Sequence, residues 1–299
     1  MPELPEVETV RLGLEPAMQG FRLTHVETRR GDLRIPFPAD FVARTQGRKV
    51  KALRRRAKYL LADLDSGETL VIHLGMSGRI SVFSLVAPAC ADAPAKDARC
   101  KLGNYVYDTA PTAPNKHDHV VFETDAPARI IFNDHRRFGL MALVNTNRLE
   151  EDKLFKDIGV EPLSSGFNTA YLAKALDGKK TPIKSALLDQ RRIAGLGNIY
   201  VCEALFRARI SPKRLAGAIK KEHLTPLVST IKKVLKDAIA AGGSTLRDHA
   251  QATGDPGNFQ HHFLVYGREG KPCKLGCKGI VKRIVQAGRS TFYCPKCQS

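Results

Sequence analysis

Met1 is followed by Pro2-Glu3-Leu4-Pro5-Glu6, and this opening holds the most reactive combination in the chain. Removal of Met1 would free the secondary amine of Pro2. Such an amine attacks a carbon at the aldehyde oxidation level and forms an iminium, which has no N–H to lose and therefore stays cationic and electron-withdrawing. An α-amino group titrates near about 8, so a useful fraction is unprotonated at neutrality. Glu3 and Glu6 place carboxylic acids beside it. The competing reading is a plain helix start: Pro5 suits the first turn, and Glu6 and Glu8 suit the positive end of the helix dipole.

A second constellation lies at the other end. Cys273-Lys274-Leu275-Gly276-Cys277 and Cys294-Pro295-Lys296-Cys297 are two close cysteine pairs with sixteen residues between them. Paired thiols flanking a hairpin-length spacer predict a four-thiolate site for one structural Zn2+, with no open position for a water. Ile280–Gln286 and Ser290–Tyr293 read as the hairpin strands around Ala287-Gly288. Lys278, Lys282, Arg283 and Arg289 make this module a candidate nucleic-acid contact.

The elements that must position these groups follow from patterning. A helix is expected from Pro5 to Met18, with Val7, Val10 and Leu14 on one face and Gly20 as its stop. Short strands are expected at Arg22–Thr28, Val50–Leu53, Tyr59–Leu64, Thr69–Leu74, Val120–Thr124, Arg129–Phe132 and Leu140–Val144, which points to a β-sandwich or barrel. Leu85–Asn115, rich in Ala, Pro and Asp, reads as an exposed insertion. After a connector at Asn145–Asp157, helices are expected at Thr169–Leu176, Lys184–Asp189, Ile199–Arg209 and Thr225–Ala241. Asn198, after Gly195-Leu196-Gly197, reads as a helix cap whose free N–H groups could also meet a phosphate.

The chain has 299 residues, enough for more than one core, with 48 Lys and Arg against 30 Asp and Glu, a net charge of +18. A surplus of that size attracts a polyanion, and phosphate-backbone binding would weaken steeply with salt. No apolar run has transmembrane length and the amino terminus lacks a secretion pattern, so a cytoplasmic, nucleoid-associated protein is expected. Seven cysteines, an odd number, do not suit a complete disulfide framework.

Several strings, taken in order, resemble the bacterial formamidopyrimidine-DNA glycosylases. They are Pro2-Glu3-Leu4-Pro5-Glu6-Val7-Glu8-Thr9, Arg55-Arg56-Ala57-Lys58-Tyr59-Leu60-Leu61, His73-Leu74-Gly75-Met76-Ser77-Gly78, Lys116-His117-Asp118-His119, Arg136-Arg137-Phe138-Gly139, Gly195-Leu196-Gly197-Asn198-Ile199-Tyr200, Tyr266-Gly267-Arg268 and the four cysteines. The resemblance implies an α+β protein: an amino-terminal β-sandwich with a leading helix (1–150), a helix–two-turns–helix DNA-binding domain (151–262) and a zinc-finger hairpin (263–299). It implies a bifunctional glycosylase and abasic-site lyase that removes oxidised purines from duplex DNA, acting as a monomer with DNA in the cleft between its halves. Pro2 would be the nucleophile, Glu3 the general acid/base, Glu6 a supporting carboxylate, Lys58 an aid to the first elimination and Arg268 a phosphate ligand aiding the second. Met76, Arg136 and Phe138 would fill the void left by the flipped base, Arg136 also meeting the orphaned cytosine. His117, Lys179 and Asn198 would contact the DNA backbone. The stretch from Gly242 through Gly257-Asn258-Phe259, whose glycines read as a mobile loop, would close over the purine.

Three features depart from the family pattern: three residues rather than two within the first cysteine pair, His135 in place of a proline, and a longer insertion. Two rivals fit less well. An endonuclease VIII-like enzyme shares the expected fold but prefers oxidised pyrimidines; Leu4 and the three void fillers favour the purine enzyme. A non-catalytic zinc-containing DNA-binding protein would not need Pro2, Glu3 and Lys58 together.

Overall fold

A computed structural model describes residues 2–85, 99–102, 105–108, 113–245, 252–253 and 255–298. They fall into two compact units, Met1–Phe155 with Gly242–Asn258, and Lys156–Ala241 with Phe259–Ser299. Packing thus groups the helical segment with the zinc hairpin and places 242–258 in the first unit, whereas the three domains expected from sequence run contiguously.

The first unit opens on α1 (Leu4–Met18), β1 (Leu23–Thr28) and a short α2 (Phe41–Thr45). The strands β2 (Val50–Arg56), β3 (Tyr59–Leu64), β4 (Glu68–His73) and β5 (Arg79–Ser84) follow. After them come β6 (Arg99–Leu102), β7 (Tyr105–Asp108), β8 (Asp118–Thr124), β9 (Ala128–Asn133) and β10 (Leu140–Asn145). Among the described residues two four-stranded antiparallel sheets form, ordered β1-β8-β9-β5 and β10-β4-β3-β2. The expected β-sandwich with a leading helix is present. Val7, Val10 and Leu14 of α1 join Leu60, Ile72, Ile80, Val82, Phe122 and Phe132 in one core. Each such side chain contributes roughly 1.5–3 kcal/mol by leaving water, so α1 holds the amino terminus against the sheets.

The insertion is not exposed throughout, which corrects the expectation for Leu85–Asn115. β6 and β7 pair as a hairpin, and Tyr107 is fully buried in the sandwich core. Its hydroxyl donates to the Gly13 carbonyl of α1 at 2.6 Å. An aromatic ring with a satisfied hydroxyl can enter a core at little polar cost, and Tyr107 ties the returning strand to α1.

The second unit contains α3 (Thr169–Leu176), α4 (Ile183–Leu188), α5 (Asn198–Arg207) and α6 (Lys221–Ala240), then the hairpin of β11 (Lys282–Gln286) and β12 (Arg289–Tyr293). Leu172, Leu187, Tyr200, Leu205, Leu227, Ile231 and Leu235 form the helical core. Ala287 and Gly288, at φ 47° and 72°, make the two-residue turn that matches strand twist in a tight hairpin. Asn198 is not the cap expected of it. Gly197 occupies the N-cap position, and the Asn198 amide is engaged elsewhere.

Candidate active site and zinc centre

The amino-terminal cluster is built on the start of α1. Pro2 is buried, Glu3 is 4% exposed and Glu6 is 2% exposed. One Glu6 oxygen, Oε2, accepts the Glu3 backbone N–H at 3.0 Å. The other, Oε1, accepts both the backbone N–H and the hydroxyl of Ser244 at 2.8 Å each. Glu6 therefore fixes the residue next to Pro2 and fastens the Gly242-Gly243-Ser244 segment to it. These donors on one carboxylate offset much of its burial cost.

The ends of the expected mobile loop are anchored. Ser244 bridges to Asn258, Gly257 N donates to the Thr245 hydroxyl at 2.8 Å, and Val82 N donates to the carbonyl of buried Ala252 at 2.9 Å. Residues 246–251 and 254 of that stretch lie outside the described residues.

Lys58 sits in the two-residue turn Ala57-Lys58 between β2 and β3, and Ala57 takes φ 52°. It is only 6% exposed, unlike a lysine that merely decorates a basic strand. On β4, burial first, and then the charges of Lys58 and Arg34, push His73 down to about 4. Neutral His73 accepts the Gly75 N–H on Nδ1 at 3.0 Å. An unfolded chain takes up this proton below about 6.5, whereas folded His73 resists it until about 4. The group is neutral toward stability above the unfolded value and an increasing penalty as pH falls through that window. Replacing His73 by Gln should therefore reduce the loss of unfolding free energy between pH 7 and pH 4 by about 2–3 kcal/mol, as read by urea denaturation at each pH.

The three side chains expected to fill a void lie on two loops of this unit. Met76 is 40% and Phe138 is 42% exposed, which excludes core packing for both. The Arg136 guanidinium lies 4.7 Å from the centroid of the Phe138 ring, within cation–π range. The loops touch through backbone. A Cβ on Gly75, whose φ is +64°, would fall 2.3 Å from the carbonyl carbon of Phe138, so only glycine admits this approach. His117 is partly buried, its ring 6.4 Å from that of His119 and 6.2 Å from that of His135.

Sequence reasoning missed the residue beneath these loops. Asp134 is fully buried and accepts from the Ser77 hydroxyl, from Gly139 N at 2.8 Å and from Arg136 N at 3.3 Å. Nothing in its local sequence separates it from a solvated turn aspartate.

The second unit holds Lys179, Asn198, Arg268 and the cysteines. Lys179 is partly buried just after α3, its carbonyl accepting Gly217 N at 2.9 Å. Asn198 Nδ2 donates to the Ser290 carbonyl on β12 at 2.9 Å. Two further buried charges went unread. Lys184 Nζ donates to the Ser290 carbonyl at 3.1 Å and to the Thr291 hydroxyl at 2.7 Å. Glu203 accepts the backbone N–H groups of Leu264, Val265 and Tyr266 at 2.9–3.1 Å and pairs with Arg207. Its place in the apolar run Ile199–Phe206 was the available signal. Glu203 sets the course of the chain leading to Arg268, whose guanidinium donates to the Pro272 carbonyl at 3.1 Å.

The four cysteine sulfurs lie within 4.8 Å of one another. Cys273–Cys297 and Cys277–Cys294 are each 3.6 Å apart. A tetrahedral zinc with bonds of about 2.3 Å spaces its sulfurs by about 3.8 Å, so the arrangement fits one structural zinc ion. Gly279 N donates to Cys277 Sγ at 3.4 Å, and a Cβ there would sit 2.8 Å from Cys294 Sγ. The Cys297 hydrogen bond pulls the Cys277 thiol down to about 7, which raises its thiolate share at neutrality. Cys273 and Cys294 pack with Cys202 and Phe206 of α5, so the centre is rooted in that helix.

Among the described residues no helix is long and apolar enough to cross a membrane. Family models match the whole arrangement in order: the formamidopyrimidine-DNA glycosylase N-terminal domain at residues 1–141, its H2TH domain at 158–250, and the zinc finger found in FPG and IleRS at 270–299. The chain is 54% identical over 305 residues to a formamidopyrimidine-DNA glycosylase of Bradyrhizobium sp. (strain ORS 278), with 100% of each chain covered. It is 55% identical over 299 residues to one of Ruegeria pomeroyi, again with 100% of each covered. Among solved structures, MutM (Fpg) of Thermus thermophilus superposes with TM-score 0.80 at 37% identity, covering 99% of this chain and 98% of that one. Lactococcus lactis Fpg bound to abasic-site DNA gives 0.81 at 31% identity, with 99% of each covered. The same protein with DNA containing an oxidised pyrimidine gives 0.82 at 31% identity, with 100% of each covered.

Proposed function

The chain belongs to the formamidopyrimidine-DNA glycosylase family and is, as a member, a DNA glycosylase acting on damaged DNA; on that premise we propose that it excises oxidised purines, 8-oxoguanine and formamidopyrimidines, and then cleaves the strand through an amino-terminal proline iminium. It works as a monomer on the DNA of the nucleoid. The target nucleotide leaves the stack so that its C1′ becomes accessible. The Pro2 nitrogen bonds to C1′ and the glycosidic bond breaks, the electron pair leaving with the base. Glu3 supplies the proton to the sugar ring oxygen or the departing base and shuttles protons afterwards. The ring-opened iminium acidifies C2′; loss of that proton expels the 3′ phosphate, with Lys58 assisting. A second elimination expels the 5′ phosphate, leaving a one-nucleotide gap with phosphates on both sides.

Arg268 holds a phosphate during the second elimination, since a guanidinium is a poor proton donor. Met76 and Phe138 enter the emptied stack and Arg136 donates to the orphaned cytosine. His117, Lys179 and Asn198 meet the DNA backbone. The bound zinc supplies a rigid fold to the hairpin and no chemistry.

The observation that carries this reading is the burial of Pro2, Glu3 and Lys58. The capping box of Glu3 and Glu6 accounts for those carboxylates at a helix start but not for a buried Lys58, and buried titratable groups mark sites of chemistry. The test is a comparison of excision from duplexes carrying 8-oxoguanine opposite cytosine and thymine glycol, with end-group analysis of the products. Faster release of the purine and phosphates at both gap ends are expected. Preference for thymine glycol would assign the chain the pyrimidine specificity instead. The oxidised-pyrimidine DNA complex of the Lactococcus lactis protein makes that the alternative to measure.

A further inference from the structure

We infer that Asp134 is the positioning residue that sets Met76, Arg136 and Phe138 as one unit, and that through them it governs how strictly the base opposite the lesion is discriminated. This rests on the void-filling role proposed for those side chains.

Asp134 follows β9 and is fully buried. Its Oδ1 accepts from the Ser77 hydroxyl and from Arg136 N at 3.3 Å; its Oδ2 accepts from Gly139 N at 2.8 Å. Its backbone carbonyl meets His119 Nε2 at 2.8 Å and accepts Arg137 N at 3.3 Å. Ser77 is the neighbour of Met76, and Gly139 the neighbour of Phe138. Each exposed apolar residue thus adjoins a residue fastened to the same carboxylate. A carboxylate serving only its own turn would be satisfied by Arg136 N and Gly139 N, as an Asx turn is. The Ser77 hydroxyl, 57 residues away in sequence, makes this one a latch between loops. Between the fastened points Arg137 adopts φ +59°, which a non-glycine residue holds only when its surroundings enforce it.

Met76 arrives from one loop and Arg136 with Phe138 from another, yet all three must enter the space of a single base. Misplacement by about 1 Å costs on the order of a hundred-fold where geometry is demanding. Hydrogen bonds from Arg136 to the orphaned base are the most direction-sensitive of the three contacts, so loosening the latch acts on discrimination first.

The test is single-turnover excision of 8-oxoguanine opposite cytosine and opposite adenine by the parent protein, Asp134→Asn, Ser77→Ala and Arg136→Ala. Asp134→Asn is expected to lower the cytosine-to-adenine rate ratio by about ten-fold, the scale on which a good side-chain-to-base contact discriminates. Ser77→Ala should lower it in the same direction by less, and it carries the test alone if Asp134→Asn fails to fold. A variant that is merely less stable loses both rates in proportion and keeps the ratio, which would overturn the inference. A ratio lowered by Arg136→Ala but untouched by Asp134→Asn and Ser77→Ala overturns the role of Asp134 while the void-filling reading stands. A ratio untouched by Arg136→Ala removes that reading and the inference with it.

Discussion

A Pro2→Gly protein is expected to bind a damaged duplex as the parent does and to lose at least about a hundred-fold in excision turnover. Glycine still ends in an amine, so the variant asks what the ring contributes. A primary amine gives an imine that can shed its proton and its charge, and with the charge goes the pull on the C2′ hydrogens. The pyrrolidine ring also fixes the direction of the nitrogen lone pair. Glycine lacks that constraint, although Glu6 would still hold Glu3 N. Single-turnover cleavage and borohydride trapping read the loss, and fluorescence anisotropy on an uncleavable abasic-site analogue reads binding. Full turnover by Pro2→Gly would defeat the imino-terminus chemistry.

Removal of zinc is expected to abolish tight duplex binding, with a loss of about a hundred-fold or more in affinity. The β11–β12 hairpin has five-residue strands and leaves Val285 67% and Ile280 48% exposed, so it cannot sustain a core of its own. Structural zinc contributes apparent binding free energies of about 10–16 kcal/mol in small finger peptides. Here the ion would also hold Cys273 and Cys294 against Phe206 and Val265, close to the segment that leads to Arg268. Chelator treatment or Cys294→Ser should therefore disturb α5 as well as the hairpin. Metal stoichiometry followed through chelation and zinc re-addition, with affinity measured at each stage, gives the result. A metal-free protein binding DNA with parental affinity would show that the hairpin does not need its metal.

Local pattern serves well where local pattern decides. Tyr59–Leu64 is a short apolar run closed by Asp65-Ser66-Gly67 and can be placed to the residue, and Ala287-Gly288 marks its own turn. β5 escapes the pattern reading although Ile80 and Val82 alternate with Arg79 and Ser81, because the preceding Gly75–Gly78 loop draws it toward a turn. Tyr107 reads as exposed because the composition around it is that of a loop; its burial comes from a contact with Gly13 that no window of sequence contains. Pro2–Glu6 stands out because its residue types carry chemistry, whereas Lys58, Met76 and Arg136–Phe138 stand out only through the family resemblance, since a methionine and a phenylalanine alone read as core and a lysine in a basic strand as a phosphate partner. Asp134, Lys184 and Glu203 are not: an aspartate in a turn and charges in helices look solvated until partners distant in sequence close over them. Asn198 is half-legible. Its place at the start of α5 can be read, but its side chain turns to Ser290 rather than capping the helix.

Peptide mass spectrometry of the borohydride-trapped complex with an 8-oxoguanine duplex tests the central chemistry most directly. The expected result is a deoxyribose adduct on the amino-terminal nitrogen of a peptide that begins at Pro2, with Met1 gone. A mature chain that retains Met1 and still nicks the duplex undiminished would contradict it.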